Sequence, residues 1–420
     1  MKKRLVSILA AAVIFLCSGC SVEDITSGIS DAAQKIGKLS GFGGETVEII
    51  TEEIISVEPA AIPTSTEQSL YCYNVLTKQQ KKIYRVILAA VREMTEGFFK
   101  LGSFSGDINR DISAAYQAVS NDHPELFWMP YTYLINGGNS DNSPVSLALS
   151  YSDSRHNCSY LIDSSERDRM VWELDLAVGS LVDQAAGLSR FEAECIFHDA
   201  LCSQTTYEAG EPESLVYTAY GALVNGKAVC EGYSRAMQLL CQKLGIPCTL
   251  ISGESRGEGH LWNLINPGDG WYHLDVTWDD NDGGEPYYLY FNVTDEEIKR
   301  DHTISPDFSA YNSSEKSDNR SYNLRNDSCT STAYNYFTYN GLNLDISDYS
   351  SQAALKISEA AYRGEKSLTF RITSDKLLKS FEKDYNSCVQ AIQKSLNSFS
   401  SAVTISEITT VLDTVTFHWR

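Results

Sequence analysis

Apolar and polar residues follow spacings that change several times between helical and strand periods. Before residue 205 these spacings predict, in chain order, a helix at 77–100, a helix at 107–119, strands at 146–153 and 158–163, and a helical stretch at 165–204. Gly187 interrupts the last stretch, which we therefore expect to form two helices. The first part of the chain is predicted to be an α+β region.

The segment from about residue 216 to 305 has the clearest pattern. One apolar stripe predicts a helix over 230–244, which Gly245 and Pro247 end. The elements predicted after it are strands at 248–252, 260–265 and 271–278, separated by a loop at 254–259 and a turn at 266–270. Thr294 then opens a capping box that predicts one more helix.

The remaining chain has the pattern of a small separate unit. Residues 309–326 are rich in Ser and Asn and are predicted to form a loop. The elements predicted after this loop are a helix at 347–362, a strand at 367–372, a helix at 374–396 and closing strands. We expect an accessory α/β unit that carries no catalytic residues.

The first residues have the pattern of an export signal. The basic segment 1–4 precedes an apolar stretch at 5–17, which is shorter than the ~20 residues that span a bilayer. The sequence C-S-G-C that ends at Cys20 resembles the lipobox of bacterial lipoproteins, which implies a lipid anchor on Cys20. The alternative is a secretory signal without an anchor. Either way we expect an extracytoplasmic protein, with 21–66 as a flexible tether.

Composition and charge narrow the class of partner. The chain is 43% hydrophobic and 11% aromatic, which is enough to build a core. Its net charge of −21 argues against a nucleic-acid partner, because such binding draws on clustered Lys and Arg. The chain has 11 cysteines, and those after the signal segment are scattered and lack C-x-x-C spacing, so we expect no metal site and mostly free, buried thiols. The sequence indicates no cofactor.

Cys230 is the principal candidate for a nucleophile. It stands at the predicted start of the helix over 230–244, where unpaired backbone N–H groups and the positive end of the helix dipole favour thiolate over thiol. The same N–H groups can stabilise an oxyanion. Cysteine at a helix start is more often structural, however, so a catalytic role requires a base from elsewhere in the chain.

The predicted hairpin over 260–278 supplies that base. If residues 266–269 form its loop, Ile265 faces Gly270, and His260 directly faces Asp275. The carboxylate can then accept a hydrogen bond from one imidazole nitrogen and leave the other nitrogen free as a base. A slip of one residue would place the two side chains on opposite faces. The sequence therefore predicts a Cys-His-Asp triad of Cys230, His260 and Asp275.

Three further side chains of the hairpin are candidates for the site, a second histidine and two tryptophans. His273 is an alternative base, although its position on the same strand as Asp275 favours a supporting role. Trp262 and Trp278 either line a cleft or belong to the core, and core positions are commoner for aromatic residues on adjacent strands.

The oxyanion donor and the remaining histidines are less defined. Gln204 and Tyr207 are candidate donors to an oxyanion, and the pattern does not choose between them. Histidines away from the hairpin, His198 and His302 among them, have no partner visible in the sequence, and we assign them no role.

The sequence around these residues resembles that of the transglutaminase-like superfamily. The matching segments, over about 197–303, are FHDALCSQTTY, GKAVCEGYSRA, GIPC, GHLWN, WYHLDVTWDD and YFNVTDEEIKRDHT. The resemblance implies a papain-like fold, in which a nucleophile helix packs on an antiparallel sheet, and a Cys-His-Asp triad in that chain order. It also implies thiol-dependent acyl transfer on an amide of a protein or a cell-wall peptide.

Two classes of function follow from the sequence. The first is an extracytoplasmic enzyme, a cysteine peptidase or amidase if water resolves the acyl-enzyme and a transamidase if an amine does, with hydrolysis favoured. The second is a non-catalytic surface lipoprotein that keeps the fold for binding. The expected regions are a signal peptide at 1–20, a tether at 21–66, an N-terminal α+β region at 67–190, the catalytic core at 191–306 and a C-terminal accessory region at 307–420.

Overall fold

A computed structural model describes residues 45–47, 54–63, 69–138, 142–153, 156–211, 214–281, 283–308, 322–399 and 403–420. The predicted signal at 1–20, the lipidation candidate Cys20 and most of the predicted tether lie outside these residues. The described residues form two compact units, of which the first ends at Ser331 and the second is Thr332–Arg420.

The first unit opens with helices packed beside a small sheet. Its elements before residue 160 are β1 (Glu45–Val47), α1 (Tyr71–Val75), α2 (Lys78–Glu93), β2 (Phe98–Ser103), α3 (Ile108–Asp122), β3 (Leu134–Gly137), β4 (Pro144–Ala148), β5 (Tyr151–Ser152) and β6 (Asn157–Cys158). The longer strands form a sheet in the order β1-β3-β4-β2. The helix predicted over 77–100 is too long, because the backbone turns at Met94 with φ 51° and the buried pair Phe98 and Phe99 enters the sheet. The strand predicted at 158–163 is also wrong beyond Cys158.

The helical stretch that follows is divided as predicted. Helix α4 (Arg167–Ala185) and helix α5 (Arg190–Gln204) are separated at Gly187, which has φ 82°. A positive φ of this kind is easily adopted by glycine. Ser189 and Glu192 form a capping box that starts α5.

The central part of the first unit is a helix packed on an antiparallel sheet. Its elements are β7 (Thr206–Tyr207), a 3₁₀ turn (Leu215–Tyr217), α6 (Ala219–Leu223), β8 (Lys227–Ala228), α7 (Cys230–Lys243), β9 (Cys248–Ser255), β10 (Glu258–Ile265), β11 (Tyr272–Leu274), α8 (Val276–Asp279), α9 (Asp295–Ile298) and β12 (His302–Ile304). The sheet order is β11-β10-β9-β12, and all of its pairs are antiparallel. Helix α7 packs against β9 and β10, which confirms the predicted fold class.

The segment predicted as a loop at 254–259 is a tight turn. Strands β9 and β10 pair up to Ser255 and Glu258, so two residues connect them. Arg256 and Gly257 have φ values of 54° and 82°, as a type I′ turn requires at both central positions. The backbone N–H of Arg256 donates to the carbonyl of Asp301, which ties the turn to the chain before β12.

The second unit has its own sheet and core. Its elements are α10 (Tyr336–Tyr339), β13 (Asn343–Leu344), α11 (Tyr349–Tyr362), β14 (Ser367–Ile372), α12 (Asp375–Phe399), β15 (Ile405–Val411) and β16 (Thr414–Trp419). The strand order is β13-β14-β16-β15, and α12 is kinked at Asp384. The core contains Phe370 and Phe417, which pack edge to face across β14 and β16.

The two units divide later in the chain than the boundary predicted at residue 307. Residues 322–331 belong to the first unit, where the side chain of Asn323 accepts from the backbone N–H of Ser252 at 2.8 Å and donates to its carbonyl at 3.0 Å. These bonds continue the edge of the central sheet. The other predicted domain boundaries stay predictions. No helix in the described part of the chain combines the length and the hydropathy that a membrane span requires.

Gly232, in the first turn of α7, lets the nucleophile helix approach the chain before it. An added Cβ would lie 2.4 Å from the carbonyl oxygen of Val216 and 2.8 Å from Cβ of Ala228. Gly232→Ala should therefore lower the free energy of unfolding by about 1–3 kcal/mol, because backbone must move. Gly179→Ala is the matched control in helix α4, where nothing lies within 4 Å of the added Cβ.

Denaturant unfolding of both variants checks this prediction. Gly179→Ala should be neutral or stabilising by about 0.5–1 kcal/mol, since alanine is the better helix former. Equal stability of the two variants would show that the close approach at Gly232 is not a constraint on folding.

Candidate active site

Cys230 is the first residue of α7, and the segment directly before it is held by backbone hydrogen bonds to two neighbouring segments. Residues 227–228 pair in parallel with Thr206–Tyr207, and the N–H of Val229 donates to the carbonyl of Val216. Val229 is the N-cap residue with extended backbone, and its side chain makes no capping hydrogen bond. The N–H groups of the first turn are therefore not used by a capping side chain. They lie at the positive end of the helix dipole, beside the Cys230 sulfur.

His260 and Asp275 reach the same place by a register that differs from the prediction. Ile265 pairs with Tyr272 and Asn263 with Leu274, so the predicted pairing is wrong by two residues. The turn is longer than four residues, and the strand predicted over 271–278 ends at Leu274. A shift of two residues preserves the face of a strand, whereas a shift of one reverses it. His260 and Asp275 therefore still lie on the same side of the sheet.

Asp275 is the N-cap of α8 rather than a strand residue. One carboxylate oxygen, Oδ1, accepts from the backbone N–H groups of Thr277 at 3.1 Å and Trp278 at 3.2 Å. The other, Oδ2, lies 2.6 Å from Nε2 of His260. The cap fixes the carboxylate with one oxygen toward the helix and the other toward the imidazole. This arrangement orients His260 without a strand partner opposite it.

The imidazole of His260 links the acid to the sulfur. Its Nε2 is bound to Asp275, and its side chain also interacts with Cys230. Burial alone would lower the pKa of His260, but the charge and hydrogen bond of Asp275, together with the interaction with Cys230, raise it to about 10. The pKa of Asp275 is lowered, because its attraction to His260 and His302 outweighs the effect of burial. At neutral pH the imidazole of His260 is therefore protonated and the carboxylate of Asp275 is ionised.

All three side chains of this line are buried. Cys230 is 6% exposed and His260 7% exposed, and Asp275 is buried more deeply at 1%. The carboxylate is therefore the member of the line that is most completely shielded from water. Electrostatic interactions between the three groups are stronger in such surroundings than in water.

Trp262 and His273 support the imidazole from within the core. The Trp262 ring is buried and stacks on the His260 ring with centroids 5.8 Å apart. Its Nε1–H donates to Nδ1 of His273 at 2.9 Å, and Nε2 of His273 lies 2.9 Å from Asp295. Both nitrogens of His273 are thus engaged away from Cys230, and burial lowers its pKa. His273 supports the site and does not face the sulfur as a base.

The remaining candidates lie at the edge of the site. Trp278 is half-buried, with its ring 6.0 Å from that of His260, and the guanidinium of Arg256 lies 3.9 Å from the Trp278 ring. Tyr207 lies on β7 and its ring is 6.5 Å from that of Tyr233. Gln204 ends α5 and is exposed. The structure does not identify the oxyanion donor among these side chains.

His302 is a member of the site that the sequence prediction missed. Its Nε2 lies 3.0 Å from Oδ2 of Asp275, the same oxygen that His260 contacts. Its ring lies 5.4 Å from that of His260. His302 is far from Asp275 in sequence and no spacing rule connects them. The available signal was its place in the segment ending RDHT, which belongs to the superfamily resemblance.

His198 also has partners that were not visible in the sequence. Its Nε2 lies 3.3 Å from Oδ2 of Asp279, and its Nδ1 lies 2.9 Å from Asp199. Asp279 is the last residue of α8, and its Oδ1 accepts from the backbone N–H of Tyr290 at 3.0 Å. These bonds anchor α8 to α5 and so hold the helix that Asp275 caps.

Two clusters of the described residues each bring three potential metal-ligating side chains together: His260, Asp275 and His302, and His273, Asp295 and Cys329. In the first, the 2.6 Å between His260 and Asp275 is a hydrogen-bond distance, shorter than the ~3.3 Å that separates two ligand atoms of a tetrahedral zinc ion. In the second, Nδ1 of His273 accepts from Trp262, so Nε2 carries the proton and cannot bind an ion. Neither cluster fits a metal as it stands.

Part of the chain is similar to a known protein family and to one human protein. Residues 181–276 match the family model of the transglutaminase-like superfamily, and that range includes Cys230, His260 and Asp275. Kyphoscoliosis peptidase of Homo sapiens is 26% identical over 121 residues, which are 25% of this chain and 18% of that protein. The chain thus spans less than two thirds of the length of this relative.

Two crystal structures are similar over part of the chain. One is a TGase, with a TM-score of 0.25 and 14% identity over 41% of this chain and 49% of that one. The other is a proposed cysteine protease from Cytophaga hutchinsonii, with a TM-score of 0.22 and 13% identity over 33% of this chain and 55% of that one. The family match, which covers α7 and strands β9, β10 and β11, establishes that this chain contains a transglutaminase-like domain at residues 181–276, as the sequence resemblance predicted.

Proposed function

We propose that this protein is a thiol-dependent acyl-transfer enzyme that acts on amides of proteins or peptides. Cys230 is the nucleophile, His260 the general base and acid, and Asp275 the residue that orients His260. The observation that carries the proposal is the arrangement of the His260 imidazole between Cys230, with which it interacts, and the capped carboxylate of Asp275, to which it is hydrogen-bonded. A nucleophile, a base and an orienting group in this order generate a reactive cysteine.

The chemistry proceeds in two halves. The Cys230 thiolate attacks the amide carbonyl, and the first-turn N–H groups of α7 stabilise the oxyanion. The C–N bond breaks as His260 gives its proton to the departing amine, which leaves a thioester on Cys230. Water then loses a proton to His260 and attacks the thioester. The carboxylic acid departs and the Cys230–His260 ion pair is restored.

The acceptor decides between two products. An amine in place of water would give transamidation through the same thioester. We favour hydrolysis, because the extracellular bacterial proteins that the sequence resembles are regarded as peptidases, and the human relative is named a peptidase. A protein or cell-wall peptide is the proposed substrate.

Alkylation with iodoacetamide at neutral pH tests whether Cys230 is activated. Cys230 should react at least 10-fold faster than Cys241 and Cys248, which are fully buried free thiols, because Cys230 interacts with the protonated imidazole of His260. Quantitative peptide mapping gives each rate. If Cys230 reacts no faster than the other two, the chain retains the fold as a binding protein and the enzyme proposal fails.

A peptide-library cleavage screen, run beside an amine-incorporation assay, tests the reaction itself. The wild-type protein should release new carboxyl termini, and Cys230→Ala should release none. Asp275→Asn should lower kcat by about 10²–10⁴-fold, because the amide no longer fixes the protonated ring.

Asp269→Asn is the matched control at the far end of the same hairpin, where the carboxylate accepts from the hydroxyls of Tyr272 and Ser331. It should leave kcat unchanged. Amine incorporation that exceeds cleavage would replace the hydrolase assignment with a transamidase.

We also propose that the protein is held at the outside of the cell membrane by a lipid on Cys20. Two features support this proposal: a basic segment followed by an apolar segment before Cys20, and the resemblance of the sequence C-S-G-C to a lipobox. Cys20→Ala should shift the protein from the membrane fraction to the soluble extracytoplasmic fraction, while activity of the purified protein is kept. Equal membrane association of both proteins would contradict the anchor.

A further inference from the structure

The carboxylate of Asp275 receives four hydrogen bonds, one of which comes from outside the proposed triad. Oδ1 accepts two backbone N–H groups of α8, and Oδ2 accepts from Nε2 of His260 and, at 3.0 Å, from Nε2 of His302. A carboxylate has about four lone-pair positions, so all of them are used. Loss of the His302 bond would leave Oδ2 bound to His260 alone, so the position of this oxygen would be less restricted.

The two contacts of His302 show which ring atom donates. Nδ1 lies 2.7 Å from Oδ1 of Asp301, and Nε2 lies 3.0 Å from Oδ2 of Asp275. Both are hydrogen-bond distances. Asp275 already accepts from two backbone N–H groups and from His260, and its carboxylate is ionised, so it can only accept. Its bond to His302 therefore requires the proton on Nε2, which donates to Asp275.

Neighbouring groups keep the ring and its partner in place. The hydroxyl of Tyr290 donates to Oδ2 of Asp301, and burial, followed by that hydrogen bond, raises the pKa of Tyr290, which retains its proton. The His302 side chain is fully buried, and its ring packs edge to face against Trp262 at 5.1 Å and Tyr290 at 5.3 Å. The ring cannot rotate away from Asp275 without displacing these aromatic rings.

We propose that His302 is a positioning residue of this site, which donates Nε2–H to Asp275 and so holds the carboxylate that orients His260. The proposal rests on the proposed function, because it assigns a role within the same Cys-His-Asp arrangement. His302 does not touch the reacting atoms. Its effect reaches Cys230 through Asp275 and His260.

Two substitutions of similar length separate the donated hydrogen bond from packing. His302→Gln places an amide N–H near the position of Nε2, whereas His302→Met fills similar space without a donor. We expect the rate of Cys230 alkylation by iodoacetamide at neutral pH to fall on the order of 10-fold in His302→Met, because a misplaced carboxylate misplaces the base. His302→Gln should recover a rate within about 3-fold of wild type.

Every outcome decides the proposal. Equal rates in His302→Gln and His302→Met, whether both slow or both normal, would overturn it, because the donor would then have no effect. Iodoacetamide needs no amide substrate, so these rates are measurable even if no cleavage is found. Slow alkylation of the wild-type Cys230 would instead count against the proposed function itself.

Discussion

The hydrogen bond between Nε2 of His260 and Oδ2 of Asp275 is the interaction on which the site depends. It joins the central strand β10 to the N-terminus of α8, and it determines which imidazole nitrogen faces the sulfur of Cys230. A buried carboxylate in this position would be costly without donors, and here it has two backbone N–H groups and two histidines. The same donors keep it ionised, which in turn keeps the proton on His260.

The rest of the first unit holds the two ends of that bond. Helix α7 brings Cys230 to the sheet because Gly232 permits close contact with the chain at Val216. Trp262 fixes the His260 ring from the core side and is itself fixed by His273. Such layered support is what restricts a reactive group to one geometry.

Much of this could be predicted from the sequence, and the failures have physical causes. The start of α7 at Cys230 and the break at Gly187 follow from local residue preferences. The hairpin register came out wrong by two residues, because turn length is set by tertiary contacts, yet the pairing of His260 with Asp275 survived, since side chains repeat every two residues along a strand. The change from strand to helix at Asp275 was not visible, because a capping aspartate and a strand aspartate look alike. His302 and His198 were missed because the carboxylates that connect them to the site, Asp275 and Asp279, are distant in sequence.

The central claim is that Cys230, His260 and Asp275 form one hydrogen-bonded line in which the imidazole is protonated at neutral pH. The most direct measurement is a nitrogen-15 spectrum of the histidine-labelled protein, with His260 assigned by substitution. The account predicts that His260 carries protons on both ring nitrogens at neutral pH and loses this signature in Asp275→Asn. A neutral His260 ring at that pH, or a ring unaffected by the loss of the carboxylate, would contradict it.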